Sequence, residues 1–63
     1  MTRVARDLRK NLERVAIHNE DAAIAVMRAA DRIGDESLRQ QLFIVIQRMN
    51  QDALDLRAMR DAV

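Results

Sequence analysis

The sequence predicts an all-α protein, an antiparallel helical hairpin that dimerises into a four-helix bundle. Three observations indicate this fold. The 63 residues include no proline and a single glycine, Gly34, near the middle of the chain, so turn chemistry is clustered at one place only. Apolar residues recur every seven positions on both sides of that glycine. A chain of this length buries only about 60% of its unfolded surface, so further association is expected.

The first helix is predicted over about residues 3–33. Thr2 can cap its start, and Gly34 can take the left-handed conformation that ends it. Two series of residues repeat at seven along this helix and are offset by four, as in a coiled-coil seam. One series is Leu8, Val15, Ala22 and Ala29, and the other is Ala5, Leu12, Asn19, Val26 and Ile33.

The second helix is predicted over about residues 37–62, after a turn at about 34–36. Asp35 or Ser37 can cap it, and Ser37 with Gln40 fits a capping box. Its seam combines Leu42, Met49, Leu56 and Val63 with Leu38, Val45, Asp52 and Met59, and Ile46 and Ala53 widen the stripe. Residues 1–63 therefore form one predicted helical-hairpin domain.

Two helices joined by a short turn bury one seam and leave apolar flanks uncovered. A homodimer is the economical way to cover them, and a higher homo-oligomer meets the same need. The length and hairpin layout resemble those of the plasmid-encoded repressor-of-primer family. That resemblance is one of architecture, without a shared residue motif, and it implies no functional residue.

The inventory of reactive side chains argues against an enzyme. The chain has no cysteine, one histidine, one serine and one threonine, which leaves almost nothing for nucleophilic or acid–base catalysis. We expect no cofactor and no metal site, because Val15 stands where a di-iron bundle needs a glutamate three residues before His18. A symmetric metal site made of two copies of His18 is a weaker alternative.

Membrane and secretory signals are missing from the sequence. The longest apolar runs, residues 22–27 and 42–46, fall far short of the roughly 20 residues that span a bilayer. The first residues lack the apolar core of a signal peptide. We therefore expect a cytoplasmic protein without a membrane span.

Two polar residues interrupt the predicted seams. A polar side chain at a core heptad position can fix register or oligomeric state at a cost in stability, so Asn19 and Asp52 are candidates for oligomer specificity. The alternative is that each reaches water at the edge of a bundle, and for Asp52, near Arg48 and Arg57, this is the favoured interpretation.

Charge is unevenly distributed along the first helix. Residues 1–14 carry five cationic and two acidic side chains, whereas residues 15–36 carry two and five. Four of the cations fall on one exposed side and form what we call the basic stripe: Arg3, Arg6, Lys10 and Arg14. Cations at a helix N-terminus oppose the macrodipole, which suggests a phosphate or acidic partner. The alternative is that these cations lie on a solvated face, where local ion pairs of Arg3 with Asp7 and of Arg9 with Glu13 offset part of the charge.

Apolar residues also lie away from the seams, and they suggest a surface for a protein partner. We call them the outer residues: Ile17, Ile24, Met27, Phe43 and Leu54. They belong either to a second interface within the bundle or to a groove for another protein. The leading hypothesis is a small regulatory or adaptor protein that acts through protein–protein interaction. The alternatives are a nucleic-acid-binding regulator that uses the basic stripe, and a purely structural oligomerisation module.

Overall fold

The computed structural model describes residues 2–63, and over that range the chain forms two antiparallel helices packed against each other, with no strand. Helix α1 is Arg3–Ala30 and helix α2 is Glu36–Ala62. The hairpin is 51 Å long and 15 by 10 Å across. Neither helix is long and apolar enough to cross a bilayer. The all-helical hairpin predicted from the sequence is confirmed for a single chain.

The start of each helix is capped by a side-chain oxygen. Thr2 Oγ1 accepts a hydrogen bond from the amide of Ala5 at 3.1 Å, as predicted. Asp35 caps α2, where its Oδ1 accepts from the amide of Leu38 at 3.0 Å. The predicted capping box of Ser37 and Gln40 does not form, because Asp35 already occupies the N-cap position.

The end of α1 differs from the prediction. The helix ends at Ala30, three residues early, because the backbone tightens there: the amides of Arg32 and Ile33 donate to the carbonyls three residues before them, at 3.1 Å each. Gly34 does not take the predicted left-handed conformation, since its φ is not positive. A Cβ at this position would meet nothing within 4 Å, so the turn does not depend on a glycine.

The closest contact between the helices is lined mainly by alanine, and we call it the alanine row. Ala16, Ala23 and Ala30 on α1 and Ile46 and Ala53 on α2 are the buried hydrophobic residues of the described chain. Small side chains at a heptad spacing let two helix axes approach closely, which larger branched side chains would prevent. This row, rather than the series at Leu8, Val15, Ala22 and Ala29, forms the centre of the intramolecular contact.

The other predicted series of α1 lies at the edge of the contact between the helices. Its members are Ala5, Leu12, Asn19, Val26 and Ile33. Residues of this row on α1 are half-buried, and so are Leu42, Met49 and Leu56 on α2. The register is marked by Asn19, whose Nδ2 donates to the carbonyl oxygen of Met49 at 3.1 Å. With the alanine row at heptad position a, this half-buried row is position d.

Candidate interaction surfaces

The helical repeat divides the hairpin surface into two flanks, one on each side of the contact between the helices. In an antiparallel pair, position e of one helix lies beside position e of the other, and position g lies beside position g. One flank therefore carries Glu13, Glu20 and Arg57, all at position e. The other flank carries the g residues, which we call the aliphatic face: Leu8, Val15, Ala22, Ala29, Leu38, Val45, Asp52 and Met59.

The e flank is closed by a network of ion pairs between the helices, which we call the ion-pair cluster. The guanidinium of Arg57 donates two hydrogen bonds to the Glu20 carboxylate, both at 2.7 Å, and lies 3.7 Å from Glu13. Arg60 also donates to Glu13 and pairs with Asp61 at 2.9 Å. A fork-to-fork arginine–carboxylate pair fixes orientation as well as distance, so the cluster holds one helix against the other along this flank.

The cluster changes the acidity of its members. The hydrogen bonds from Arg57 lower the pKa of the Glu20 carboxyl. The same bonds raise the pKa of Arg57, with a smaller contribution from Glu13. Asp61 and then Glu13 raise the pKa of Arg60. Each of these three shifts favours the charged form of its own group, Glu20, Arg57 or Arg60.

Within residues 2–63, no ion pair joins the two helices across the aliphatic face. Its large side chains stay exposed in a single chain, from Val15 at 40% to Met59 at 57%. They run along the whole hairpin and continue into the half-buried d row between the helices. This face is a mainly apolar surface that a single chain leaves uncovered.

Charge on the aliphatic face is confined to one residue, Asp52, which is exposed near mid-length. The structure gives it no ion pair within residues 2–63, and Arg57, one of its two predicted neighbours, pairs with glutamates on the opposite flank. Asn19 is different, because it is half-buried and bonded across the helices. The structure thus separates the two predicted specificity residues: Asn19 acts within the hairpin, and Asp52 faces outward.

The basic stripe is exposed on α1. None of Arg3, Arg6, Lys10 and Arg14 enters an ion pair within residues 2–63. The predicted pair of Arg3 with Asp7 is therefore not formed. Glu13, the predicted partner of Arg9, is bound by Arg57 and Arg60. The stripe presents four charges to the surroundings without an intramolecular counter-ion in the described chain.

The outer residues do not form one continuous surface. Ile24, Met27 and Phe43 lie on the e flank at similar heights near the turn, and we call these three the turn patch. Phe43 is half-buried, with the Arg39 guanidinium 5.7 Å from its ring centre. Ile17 and Leu54 lie on the outer sides of α1 and α2, and the ion-pair cluster separates them.

Metal-binding groups are not gathered anywhere in residues 2–63, where no cluster of three or more histidine, cysteine or acidic residues is present. His18 is exposed on α1, one column outside the aliphatic face.

Comparison with models of protein families, with curated proteins and with solved structures finds no match for this chain. The functional argument therefore depends on the surfaces themselves. Sequence reasoning placed Ile46 and Ala53 in the apolar stripe of α2 but missed the alanine row on α1 and the ion-pair cluster. The available signal was the heptad spacing of Ala16, Ala23 and Ala30, and of Glu13 and Glu20.

Proposed function

We propose that the protein is a small, non-enzymatic regulatory or adaptor protein of the cytoplasm, acting through protein–protein interaction as a helical-bundle homo-oligomer. Two hairpins would pair through their aliphatic faces to make a four-helix bundle, and the turn patch would contact a protein partner. The observation that carries the proposal is the uncovered aliphatic face along the whole hairpin.

The energetic argument concerns the size of the single-chain core. Four of its five buried residues are alanine, and only Ile46 is large. Burying one leucine- or valine-sized side chain contributes about 1.5–3 kcal/mol. The large residues of the aliphatic face, covered by a second chain, would therefore add more hydrophobic stabilisation than the alanine row supplies.

A matched pair of neighbouring residues tests the self-association. Val45 lies on the aliphatic face and Ile44 on the far side of α2, and both are β-branched and exposed, at 42% and 50%. We expect Val45→Asp to abolish association and Ile44→Asp to preserve it. Sedimentation equilibrium measures the mass, and the wild-type unfolding midpoint should rise with protein concentration. A wild-type monomer at micromolar concentration with a constant midpoint would refute the proposal.

The turn patch is tested in the associated protein. Ile24→Asp should leave the oligomer intact and abolish capture of the partner, whereas Ile44→Asp should not affect capture. Specific capture lost only in the first variant supports the adaptor role. Association without any patch-dependent partner would instead indicate a purely structural oligomerisation module.

A second candidate function rests on the basic stripe, which has no counter-ion within residues 2–63. In that case the protein is a nucleic-acid-binding regulator whose paired stripes contact phosphates. Replacing Arg6 and Lys10 with alanine should weaken binding to a DNA or RNA duplex in fluorescence anisotropy. The salt slope should flatten by about one unit for each lost contact. Tight binding at 200 mM salt by the wild type, lost in this variant, would rank the second function first.

A further inference from the structure

Asp52 is the charged residue of the aliphatic face, and it lies near the middle of that face. We propose that Asp52 makes the self-association sensitive to pH, so that two copies associate more tightly when its carboxyl group is protonated. The inference rests on the self-association proposed above and concerns the control of that same interface. It holds whichever end of one copy meets the turn of the other.

Within one chain, the side chains around Asp52 on the aliphatic face are apolar. The g residues one heptad away on α2 are Val45 and Met59, which are exposed at 42% and 57%. The half-buried Met49 and Leu56 lie beside Asp52 on the side toward α1. A second chain that covers these side chains therefore also covers the carboxylate between them.

With two aliphatic faces fully overlapped, Asp52 faces a valine in either orientation of the second copy. The hydrogen bond from Asn19 to Met49 sets the register of the hairpin, and that register places Val15 at the height of Asp52. With both turns at the same end, α1 packs on α2, and Val15 of the other copy covers the carboxylate. With the turns at opposite ends, α2 packs on α2 in reverse order, and Val45 of the other copy covers it.

The other charged groups near Asp52 lie at the outer edge of the face. On α2 they are Arg48 and Asp55, one turn away on either side, and on α1 the nearest titratable group is His18. The structure gives Asp52 no ion pair within residues 2–63. A second copy adds its own Asp52 at the g positions, and its edge carries the same groups together with Arg32. The centre of the interface therefore holds carboxylates without a cation between them.

Covering a carboxylate with apolar side chains disfavours its charged form. A single chain leaves Asp52 exposed to water, whereas association places it against valine and methionine side chains. The charge of Asp52 therefore opposes association, and protonation removes that opposition. Because the associated form takes up protons at this position, the association constant should rise as the pH falls.

Removing the charge of Asp52 without changing the pH tests the proposal. Asp52→Asn keeps the size of the side chain and makes it neutral. We expect this variant to dimerise at least about tenfold more tightly than the wild type at pH 7. The wild type should tighten by a similar factor between pH 7 and pH 5, whereas the variant should change little. Sedimentation equilibrium at both pH values measures the dissociation constants.

Two control variants separate Asp52 from the other charged groups. Asp21→Asn removes the same charge from an exposed position on the outer side of α1, so it should change the dissociation constant by less than about twofold. His18→Asn removes the histidine, a residue type that titrates between pH 5 and 8. This variant should keep the pH dependence of the wild type.

The outcomes separate this proposal from the self-association on which it rests. A dimeric Asp52→Asn protein that is no tighter than the wild type at pH 7, or that keeps the same pH dependence, overturns the role of Asp52 and leaves the self-association standing. Equal tightening by Asp21→Asn, or loss of the pH dependence in His18→Asn, has the same consequence. If the wild type and Asp52→Asn are both monomeric at micromolar concentration and at both pH values, both proposals are overturned.

Discussion

The two flanks of the hairpin border the same contact between the helices, but they differ in the side chains that line them. On the e flank, Arg57 and Arg60 bridge to Glu13 and Glu20 and close the surface within one chain. On the g flank, large apolar side chains of both helices stay exposed, and no ion pair joins the helices there within residues 2–63.

This difference shows how a short chain can separate folding from association. Ion pairs at a partly exposed surface orient two helices but add little stability. Apolar side chains without a cover add stability only when another surface excludes water from them. One flank therefore sets the geometry of the hairpin, and we propose that the other provides the driving force for assembly.

The largest effect is expected where the two flanks meet, in the alanine row. Ala23→Leu inserts three carbon atoms into the closest helix contact and should lower the free energy of unfolding by about 1–3 kcal/mol. Both flanks would then be forced apart. Ala58→Leu, at an exposed position of α2, is the control and should be close to neutral. Urea unfolding followed by circular dichroism measures both. Equal stability of the two variants would mean that the helices do not need a close approach.

A smaller effect is expected from the polar residue in the half-buried d row. Asn19→Leu removes the hydrogen bond to Met49 and adds apolar surface beside the aliphatic face. The free energy of unfolding should rise by up to about 1 kcal/mol, and the distribution of oligomers should broaden. Urea unfolding and sedimentation velocity measure the two quantities. A single unchanged species in sedimentation would show that Asn19 has no role in specifying the assembly.

The ion-pair cluster predicts a pH dependence of opposite sign to the one proposed for the aliphatic face. The folded state lowers the pKa of Glu20 below its ordinary value of 4.5. The stabilising contribution is therefore present above pH 4.5 and is lost as the pH falls through the lower folded value. Glu20→Gln should be less stable than the wild type at pH 7, and the difference should shrink at pH 3. Thermal unfolding at the two pH values measures it. A difference that stays constant would mean that Glu20 does not act through its charge.

The smallest effect on stability is expected from the basic stripe. Replacing Arg6 and Lys10 with alanine should change the free energy of unfolding by less than about 0.5 kcal/mol, because both side chains are exposed and lie outside the ion-pair cluster. Urea unfolding measures this change. A larger loss would place these residues in the interface between copies and would contradict the assignment of that interface to the aliphatic face.

Local signals in the sequence were sufficient for the helices and for the start of the first. Thr2 caps α1 as predicted, and Asp35, one of two predicted candidates, caps α2, because capping depends on residues within one turn. The end of α1 was predicted three residues late and with a left-handed Gly34. That error arose because a glycine permits such a conformation without requiring it.

The arrangement of the two helices was only partly predictable. Heptad spacing identified a wide apolar stripe on each helix, which includes Leu12 and Leu42. It did not identify which row within the stripe meets the other helix of the same chain. Rows at positions a, d and g are all mainly apolar, so the pattern is compatible with several rotations of each helix about its axis.

The sequence by itself determined that this chain is a helical hairpin with more apolar surface than one hairpin can bury. Period, length and the single break near Gly34 depend only on residue types and their spacing. The tertiary structure decided that alanine fills the closest contact, that Arg57 and Glu20 close one flank, and that the aliphatic face is left open. The rotation of each helix about its axis follows from two contributions, the close packing of small side chains and the ion pairs between residues 37 positions apart. Both are contacts between residues distant in the sequence, so no local sequence pattern predicts the rotation.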